Sequence, residues 1–316
     1  MSTEPLVIAH RGACGYLPEH TREAKMLAYG QNADFLEQDV VATRDGRLVV
    51  LHDLFLDDVT DVSVRFPGRH RGDGRHYVID FDLEELLQLR VVERRRPGEG
   101  ELMFPERFRD EDVTFRITTL DEEIRLIREL NRITGRRVGI YPEIKHPDFH
   151  REHGVDLAAR LLEALEAHGY SAADDPVFVQ CFDPVELRRC REGLGTRLKL
   201  AQLVDVEAGA RLSAAASLAR IAEYADVVAP HYSQLAVADE SGSVSFDVAA
   251  AREAAAAGLS LHPYTFRRDQ LPPYAATLEE LIESFLFQLG VGGVFCDQPD
   301  IAVEVRSRRP ATHGRD

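Results

Sequence analysis

Short apolar runs with the length of β-strands alternate with segments of helical periodicity along most of this chain. The strand-like runs occupy residues 6–9, 35–41, 48–51, 138–141, 177–179, 198–200, 226–229, 260–262 and 293–296. Between them, apolar residues recur on one helical face, for example over 120–134 and 155–167. This alternation is typical of parallel α/β construction. With the run at 48–51 set aside, the other eight runs give eight βα units, which predict a (β/α)8 TIM barrel.

The regular pattern is interrupted from about Leu54 to Arg116. This stretch has scattered glycines and acidic residues and little periodicity, and a loop of this length is usually functional or has a small fold of its own. We therefore expect residues 54–117 to be an inserted subdomain after the second strand of a single barrel domain that spans residues 1–316. The run Arg94-Arg95-Arg96 within it is expected to be a solvated cluster.

Composition narrows the range of partners. The 316 residues are 44% hydrophobic and 29% charged, as in an ordinary soluble globular protein. A formal net charge of −16 argues against nucleic acid or an anionic membrane as the main partner, because both need a basic surface. A small anionic substrate in a locally basic pocket remains compatible with this charge.

Leader and cysteine patterns bear on the compartment. No apolar run approaches the roughly 18 residues of a membrane span, and the first residues have neither the basic nor the apolar region of a secretory leader. The predicted location is the cytoplasm, or the periplasm or exterior if a leader precedes this sequence. The four cysteines are far apart without paired metal-ligand spacing, and we expect free, mostly buried thiols: Cys14, Cys181, Cys190 and Cys296.

Residue types that carry chemistry follow or end several of the predicted strands. They are His10 and Arg11, Glu37 and Asp39, His52, and Glu143 and Lys145. Residues two apart on a strand point to the same face, and the carboxyl ends of barrel strands carry the active site in enzymes of this fold. Unpaired buried charges cost several kcal/mol, so such a cluster indicates a functional site.

The residue types indicate a metal, a phosphate and proton transfer. Three carboxylates without a nearby cysteine suit a hard cation such as Ca²⁺ or Mg²⁺ better than Zn²⁺. Two histidines can exchange protons near neutral pH, and the pattern leaves open which is the base and which the acid. Arg11 offers a bidentate fork for phosphate oxygens, Lys145 adds a point charge, and Gly12 would let the backbone approach a ligand.

Further residues near strand ends are candidates for the wall of the pocket: Phe182, His231, His262, Tyr264 and Phe295. Other histidines lie in the irregular stretch or on predicted helix and tail surfaces. We expect these to be solvated and outside the site: His70, His76, His146, His150, His153, His168 and His313.

The same residues carry a family resemblance. Residues 10–21 (HRGACGYLPEHT) resemble the opening signature of glycerophosphodiester phosphodiesterases, and residues 36–40 and 45–53 resemble the next two blocks of that family. The string at 139–145 resembles its third-strand block, and similar strings follow at 179–183 and 261–265. The resemblance covers nearly the whole chain, and the stretch around 57–77 is similar to the larger bacterial periplasmic-type branch.

This resemblance implies a barrel enzyme that hydrolyses glycerophosphodiesters, such as glycerophosphocholine or glycerophosphoethanolamine, to sn-glycerol 3-phosphate and an alcohol. It implies that the adjacent hydroxyl of the substrate attacks first and that water then opens the cyclic phosphate. Carried over residue by residue, the resemblance implies that His10 and His52 are the acid–base pair. It implies that Glu37, Asp39 and Glu143 are the ligands of one divalent cation, often Ca²⁺ in the closest branch. It also implies that Arg11 and Lys145 contact the phosphate.

Three other functions fit parts of the pattern. A phospholipase-like phosphodiesterase acting on lipid would need an apolar surface facing the membrane, which the acidic composition disfavours. A protein that binds glycerophosphodiesters or calcium without turnover would be favoured by loss of a histidine or a metal carboxylate, and all are present. A glycosidase would leave both histidines, Arg11 and Lys145 without roles, and the chain has no tryptophan to stack on a sugar.

Overall fold

Parallel strands form the centre of the molecule. The computed structural model describes residues 4–110, 112–205, 212, 215–238 and 244–308. Its strands are β1 (Leu6–Ala9), β2 (Phe35–Ala42), β3 (Leu48–Val50), β4 (Gly139–Ile144), β5 (Phe178–Cys181), β6 (Lys199–Val204), β7 (Val227–Pro230), β8 (Ala236–Ala238), β9 (Val244–Phe246), β10 (Ser260–Leu261) and β11 (Gly293–Cys296). Eight of them are parallel neighbours in the order β10-β7-β6-β5-β4-β2-β1-β11, and β8 and β9 pair as a separate hairpin.

Hydrogen bonds between the two ends of this row close it into a barrel. The backbone N–H of Gly292 donates to the carbonyl of Leu261 (2.9 Å), and that of Phe295 donates to the carbonyl of Pro263 (3.1 Å). The predicted (β/α)8 barrel is therefore confirmed. Because the eight strands run in the same direction, residues at their carboxyl ends meet at one end of the barrel.

Helices connect the strands, and local sequence sets several of their ends. They are α1 (Arg22–Gly30), α2 (Val62–Arg65), α3 (Leu83–Leu86), α4 (Leu120–Thr134), α5 (Pro147–Glu152), α6 (Leu157–Ala167), α7 (Pro184–Arg188), α8 (Ala215–Ala222), α9 (Val248–Ala256), α10 (Leu278–Glu283) and α11 (Pro299–Ser307). Thr21 and Thr119 each cap a helix by accepting a hydrogen bond from the backbone N–H three residues later. α1 ends at Gly30, and the left-handed residue after this helix is Asn32 (φ 67°).

The run at 48–51 forms a strand, but one that lies outside the ring of parallel strands. β3 pairs antiparallel with β2 after a turn at residues 44–45. The chain thus returns along β2, and the N–H of Leu51 donates to the carbonyl of Asp39 at 2.9 Å. His52 follows directly and is placed beside the carboxyl-end half of β2.

Residues 54–117 pack a small apolar cluster against β3. The segment contains α2, α3, a 3₁₀ turn at Val78–Asp80 and isolated β-bridges. Its buried apolar residues include Leu56, Phe81, Leu89 and Phe115, which pack in one cluster with Val49 of β3. The irregular segment therefore has a small apolar core, and this core is shared with β3.

An apolar plug fills the barrel below the carboxyl ends of the strands. The rings of Tyr141 and Phe178 stack with centroids 4.8 Å apart, and Phe295 meets Tyr141 edge-on at 5.0 Å. Ile8 and Ala229 are buried in the same cluster.

Two sequence expectations concern cysteines and membrane spans. All four cysteines are free and buried, as expected. Within the residues described above, none of the helices is both long and apolar enough to traverse a bilayer.

Candidate active site

Three carboxylates from two adjacent strands form a compact buried group at the carboxyl end of the barrel. The parallel register of β2 and β4 sets Asp39 opposite Glu143 and Glu37 opposite Tyr141. Oxygens of Glu37, Asp39 and Glu143 all lie within 4.8 Å of one another, and each of these residues is 5% exposed or less. Lys145 follows β4 two residues after Glu143 and joins the same group.

This group has the properties of a cation site. Nζ of Lys145 lies 2.9 Å from Oε1 of Glu143 and 3.7 Å from Oδ1 of Asp39, and that Asp39 oxygen has no hydrogen-bond partner among the residues the structure describes. Burial raises the pKa of Glu143 well above its usual range. Lys145 acts to lower this pKa, and the charge of Asp39 acts to raise it further. Burial also acts to raise the pKa of Asp39, but the charge of Lys145 and a hydrogen bond with His20 hold it well below its usual range. A divalent cation with oxygen ligands would satisfy the unpartnered oxygen and offset the repulsion, so the donor set fits such an ion.

His10 follows β1, and its ring is held by Asp297, which follows β11. Nδ1 of His10 is 2.7 Å from Oδ1 of Asp297, and its Nε2 is 3.8 Å from Oε2 of Glu37. Burial acts to raise the pKa of Asp297, but Arg267, His10 and Arg107 hold it well below its usual range. An ionised carboxylate only accepts hydrogen bonds, so Nδ1 carries the proton and Nε2 is directed toward Glu37.

His52 is oriented in the same way by the residue next to it. Its Nδ1 is 2.6 Å from Oδ1 of Asp53. The side chain is 31% exposed, against 10% for His10. Burial, followed by the positive charges of Arg11 and Lys145, lowers the pKa of His52 to about 3. The ring is therefore neutral near pH 7 and can accept a proton at Nε2.

Arg11 contributes through its backbone and its side chain. Its backbone has φ 54°, and its N–H donates to Oε2 of Glu37 at 2.7 Å. Its Nη1 donates to Oε2 of Glu19 at 3.0 Å, and its Nε is 3.5 Å from Oδ2 of Asp39. Burial acts to raise the pKa of Glu19, but Arg11 and Arg94 hold it well below its usual range. The guanidinium is thus fixed between two carboxylates at the edge of the site.

The structure gives Gly12 a different role from the predicted approach to a ligand. Its φ is +86°, and a Cβ at this position would lie 2.8 Å from the carbonyl carbon of Ala24 and 3.0 Å from the nitrogen of Lys25. The close neighbour is therefore the backbone of α1. Glycine here allows the loop that carries His10 and Arg11 to pack directly on that helix.

One cavity at this end of the barrel is lined by all seven side chains expected to carry the chemistry, namely His10, Arg11, Glu37, Asp39, His52, Glu143 and Lys145. The rest of its wall is formed by Phe182, Leu203, His231, Tyr264, Thr265, Arg267 and Phe295. Phe182 is 41% exposed and Phe295 is 1% exposed, so these two aromatics mark the rim and the floor. Arg267 adds a cation that the sequence pattern did not indicate.

His262 does not line this cavity, contrary to the prediction. Its Nδ1 is 3.2 Å from the hydroxyl of Tyr141 and its Nε2 is 3.0 Å from Oγ of Ser260, inside the barrel. It borders a separate cavity near the starts of the strands. The extended chain continues past β10, because the N–H of Tyr264 still donates to the carbonyl of Pro230 at 3.0 Å. The functional end of this strand is therefore at Tyr264.

Several charged residues around the site were not indicated by the sequence pattern, namely Glu19, Asp53, Arg94, Arg107, Arg267 and Asp297. Asp297 directly follows a predicted strand end and Asp53 lies two residues past one, and that position was a usable signal. Arg94 and Arg107 gave none, because they lie in the irregular segment. The expectation that Arg94 is solvated is wrong, since its side chain is 11% exposed and ion-paired.

Two histidines expected to be solvated are buried outside the cavity. His76 is 3% exposed, with its Nδ1 2.7 Å from Oδ1 of Asp57. His150 is 1% exposed and accepts a hydrogen bond at Nε2 from the N–H of Ala42 (3.1 Å). Both stabilise the packing around neighbouring backbone. His313 lies outside the described residues.

The chain is similar to known proteins over nearly its whole length. Residues 10–301 match the Glycerophosphoryl diester phosphodiesterase family. A glycerophosphodiester phosphodiesterase of Haemophilus influenzae is 40% identical, covering 96% of this chain and 90% of the relative, and one of Treponema pallidum is 37% identical, covering 96% and 92%. The chain is also similar to the structure of an Oleispira antarctica phosphodiesterase in complex with the product sn-glycerol-3-phosphate, with a TM-score of 0.66 and 23% sequence identity. The alignment covers 96% of this chain and 97% of that one. The chain therefore belongs to the glycerophosphoryl diester phosphodiesterase family.

Proposed function

We propose that this protein hydrolyses glycerophosphodiesters to sn-glycerol 3-phosphate and an alcohol, using His10 and His52 for proton transfer beside one divalent cation. Membership of the family supports the reaction, and two relatives with 37% and 40% identity are named for it. The observation that carries the mechanism is that both histidines and the three carboxylates line one cavity. Release of glycerol 3-phosphate would connect the enzyme to glycerol and lipid metabolism.

In this proposal Glu37, Asp39 and Glu143 hold the cation. When bound, the ion supplies positive charge that polarises the phosphodiester and stabilises charge on its oxygens. The donors are all carboxylate oxygens, which both Ca²⁺ and Mg²⁺ accept, and the family resemblance favours Ca²⁺, with Mg²⁺ as the alternative.

The phosphate would be held by the cations of the cavity wall. Arg11 would donate to phosphoryl oxygens through its guanidinium, and Lys145 would add a positive charge beside the carboxylates. Both side chains are already fixed by carboxylate partners, so little reorganisation is needed when negative charge develops.

Protons would move at the Nε2 atoms, because each Nδ1–H is held by an aspartate. One histidine would take the proton of the glycerol hydroxyl next to the phosphate, whose oxygen then bonds to phosphorus. The other would protonate the departing alkoxide as its bond to phosphorus breaks, giving a cyclic phosphate. Water would open this ring by the reverse proton movements and yield glycerol 3-phosphate.

We further propose that residues 54–117 are an insertion within a single barrel domain. The family match runs from residue 10 to residue 301, across this segment. The strand before the segment, β3, and the helix after it, α4, contact each other.

The test is release of glycerol 3-phosphate from glycerophosphocholine by purified protein, with and without EDTA. We expect release that EDTA abolishes and that added Ca²⁺ restores. Calorimetric binding of glycerophosphocholine without any release would instead support a binding protein and contradict the proposal. A substrate analogue that lacks the glycerol 2-hydroxyl should bind without being cleaved, and its cleavage would contradict attack by that hydroxyl.

A further inference from the structure

The segment 54–117 reaches into the site through Arg94, which is anchored to the partner of His52. Nη1 of Arg94 donates to Oδ2 of Asp53 at 2.7 Å, while the other oxygen of Asp53 is 2.6 Å from Nδ1 of His52. Nε and Nη2 of Arg94 donate to the two oxygens of Glu19 at 2.8 and 2.6 Å, and Glu19 also binds Arg11. One guanidinium therefore ties a proposed catalytic histidine to a proposed phosphate contact.

A second arginine of the same segment repeats this arrangement at the other histidine. Nη2 of Arg107 donates to Oδ2 of Asp297 at 2.6 Å, while Oδ1 of Asp297 is 2.7 Å from Nδ1 of His10. Arg107 also forms a two-pronged pair with Asp269, through Nε at 2.6 Å and Nη2 at 2.8 Å. Each proposed catalytic histidine thus contacts one oxygen of an aspartate whose other oxygen is held by an arginine from 54–117.

Both arginines are fixed by their own surroundings. Arg107 is 8% exposed, and its guanidinium carbon lies 3.9 Å from the ring centroid of Phe104. The backbone around Arg94 is held by hydrogen bonds from Arg95 N–H to the carbonyl of Asp58 (2.8 Å) and from Met103 N–H to the carbonyl of Arg94 (2.9 Å). A guanidinium is costly to bury unless its donors are matched by acceptors, and each of these two spans a pair of carboxylates.

We propose that Arg94 and Arg107 are positioning residues through which the segment 54–117 fixes the orientation of the two histidines. The inference rests on the proposed function, because it assigns a use to the aspartates that hold His52 and His10. When an arginine binds one oxygen of the aspartate, the other oxygen is held in position to accept the hydrogen bond from Nδ1 of the histidine. This keeps each Nε2 directed into the cavity. The segment therefore completes the active site in addition to covering part of the barrel.

The test is a double-mutant cycle on Arg94 and Asp53. We expect Arg94→Met and Asp53→Asn each to lower kcat for glycerophosphocholine by roughly 10- to 100-fold with KM nearly unchanged, the usual range for outer-shell partners. The kcat of the double variant should be no more than about 2-fold below that of the less active single variant, because both changes release the same imidazole. Arg94→Lys, which keeps a donor to Asp53, should recover part of the loss.

The matched control is Arg71→Met. Arg71 lies in the same segment, forms a two-pronged pair with Asp80 (2.7 and 2.8 Å) and stacks on Tyr77, but does not line the cavity. This variant should lose stability and keep its kcat. Thermal melting of every variant separates lost folding from lost positioning, and kcat is compared at temperatures where each variant is folded.

A parallel cycle pairs Arg107→Met with Asp297→Asn, where Arg107→Lys serves as the milder variant if the first does not fold. The effects of Arg94→Met and Arg107→Met should multiply, since they act on different histidines. The inference is overturned if the reductions in kcat of Arg94→Met and Asp53→Asn multiply fully in the double variant. It is also overturned if folded Arg94→Met keeps the wild-type kcat. Either result leaves the proposed function intact. An inactive wild-type protein overturns both.

Discussion

Asp39 and Glu143 lie opposite each other in the parallel register of β2 and β4, and their pKa values are moved in opposite directions. Asp39 is held ionised by Lys145 and by its hydrogen bond with His20, whereas burial and the charge of Asp39 favour the protonated form of Glu143. Two facing buried carboxylates are a source of instability unless enough positive charge is supplied. This pair is therefore the part of the site on which cation binding should have its largest effect.

Replacement of Glu143 by glutamine should remove most of the dependence of the free energy of unfolding on the cation. For the wild-type protein, Ca²⁺ at 100 times its Kd should raise the free energy of unfolding by about 2.7 kcal/mol. Glu143→Gln should lose most of this gain, yet be about as stable as wild type in EDTA, because glutamine is neutral and matches the protonated form that burial and Asp39 favour at this position. Urea unfolding in EDTA and in Ca²⁺ measures both quantities.

The control for this prediction is Glu186→Gln. Glu186 is 2% exposed and ion-paired with Arg151 and Arg189, away from the cavity. Its loss should destabilise the protein and leave the Ca²⁺-dependent gain intact. An undiminished gain in Glu143→Gln would contradict the assignment of Glu143 as a ligand.

Alanine at His10 or His52 should lower kcat by roughly 10²- to 10⁴-fold, the usual range for a general acid or base. Circular dichroism should show that both variants remain folded. His70→Ala, at an exposed position that does not line the cavity, is the matched control and should retain full activity. Near-wild-type turnover in either folded variant would exclude that histidine from proton transfer.

Acid should destabilise the protein partly through His262. Burial lowers the pKa of this histidine from 6.5 to about 3 in the folded protein. Below about pH 6.5 the unfolded chain binds a proton that the folded protein does not, so stability is lost as the pH falls toward 3. One such group contributes a slope of about 1.4 kcal/mol per pH unit.

The variant His262→Gln removes this titration and should reduce the slope of unfolding free energy against pH by about that amount between pH 6 and 4. Urea unfolding at several pH values provides the comparison. His70→Ala again serves as control, since this exposed ring has no comparable burial. The same slope in His262→Gln and wild type would show that His262 is not the group responsible.

Gly12→Ala should destabilise the fold more than an alanine at another left-handed glycine. Gly169 has φ +83°, close to the +86° of Gly12, but a Cβ there meets nothing within 4 Å. Gly169→Ala therefore carries only the backbone strain, about 1–2 kcal/mol, whereas Gly12→Ala adds a clash with α1 worth about 1–3 kcal/mol. Equal free energies of unfolding for the two variants would contradict the proposed close packing on α1.

Much of the fold and the shared position of the key side chains follow from short-range rules. Alternating strand and helix patterns predicted the barrel because each pattern reflects local geometry and burial. The i, i+2 spacing of Glu37 and Asp39 put both on one strand face, and parallel strands bring their carboxyl ends together. The roles of these residues stay predictions until the variants are measured.

The sequence by itself determined the family, the barrel and the seven polar side chains at strand ends, because these depend on periodicity and on contiguous motifs. Only the tertiary structure decided that Arg94 reaches Asp53, that Arg107 reaches Asp297 and that His262 points away from the cavity. Such contacts join residues far apart in the chain, here 41 and 190 positions for the two arginines. They arise from the packing of an irregular segment on the barrel, which no local pattern of residues encodes.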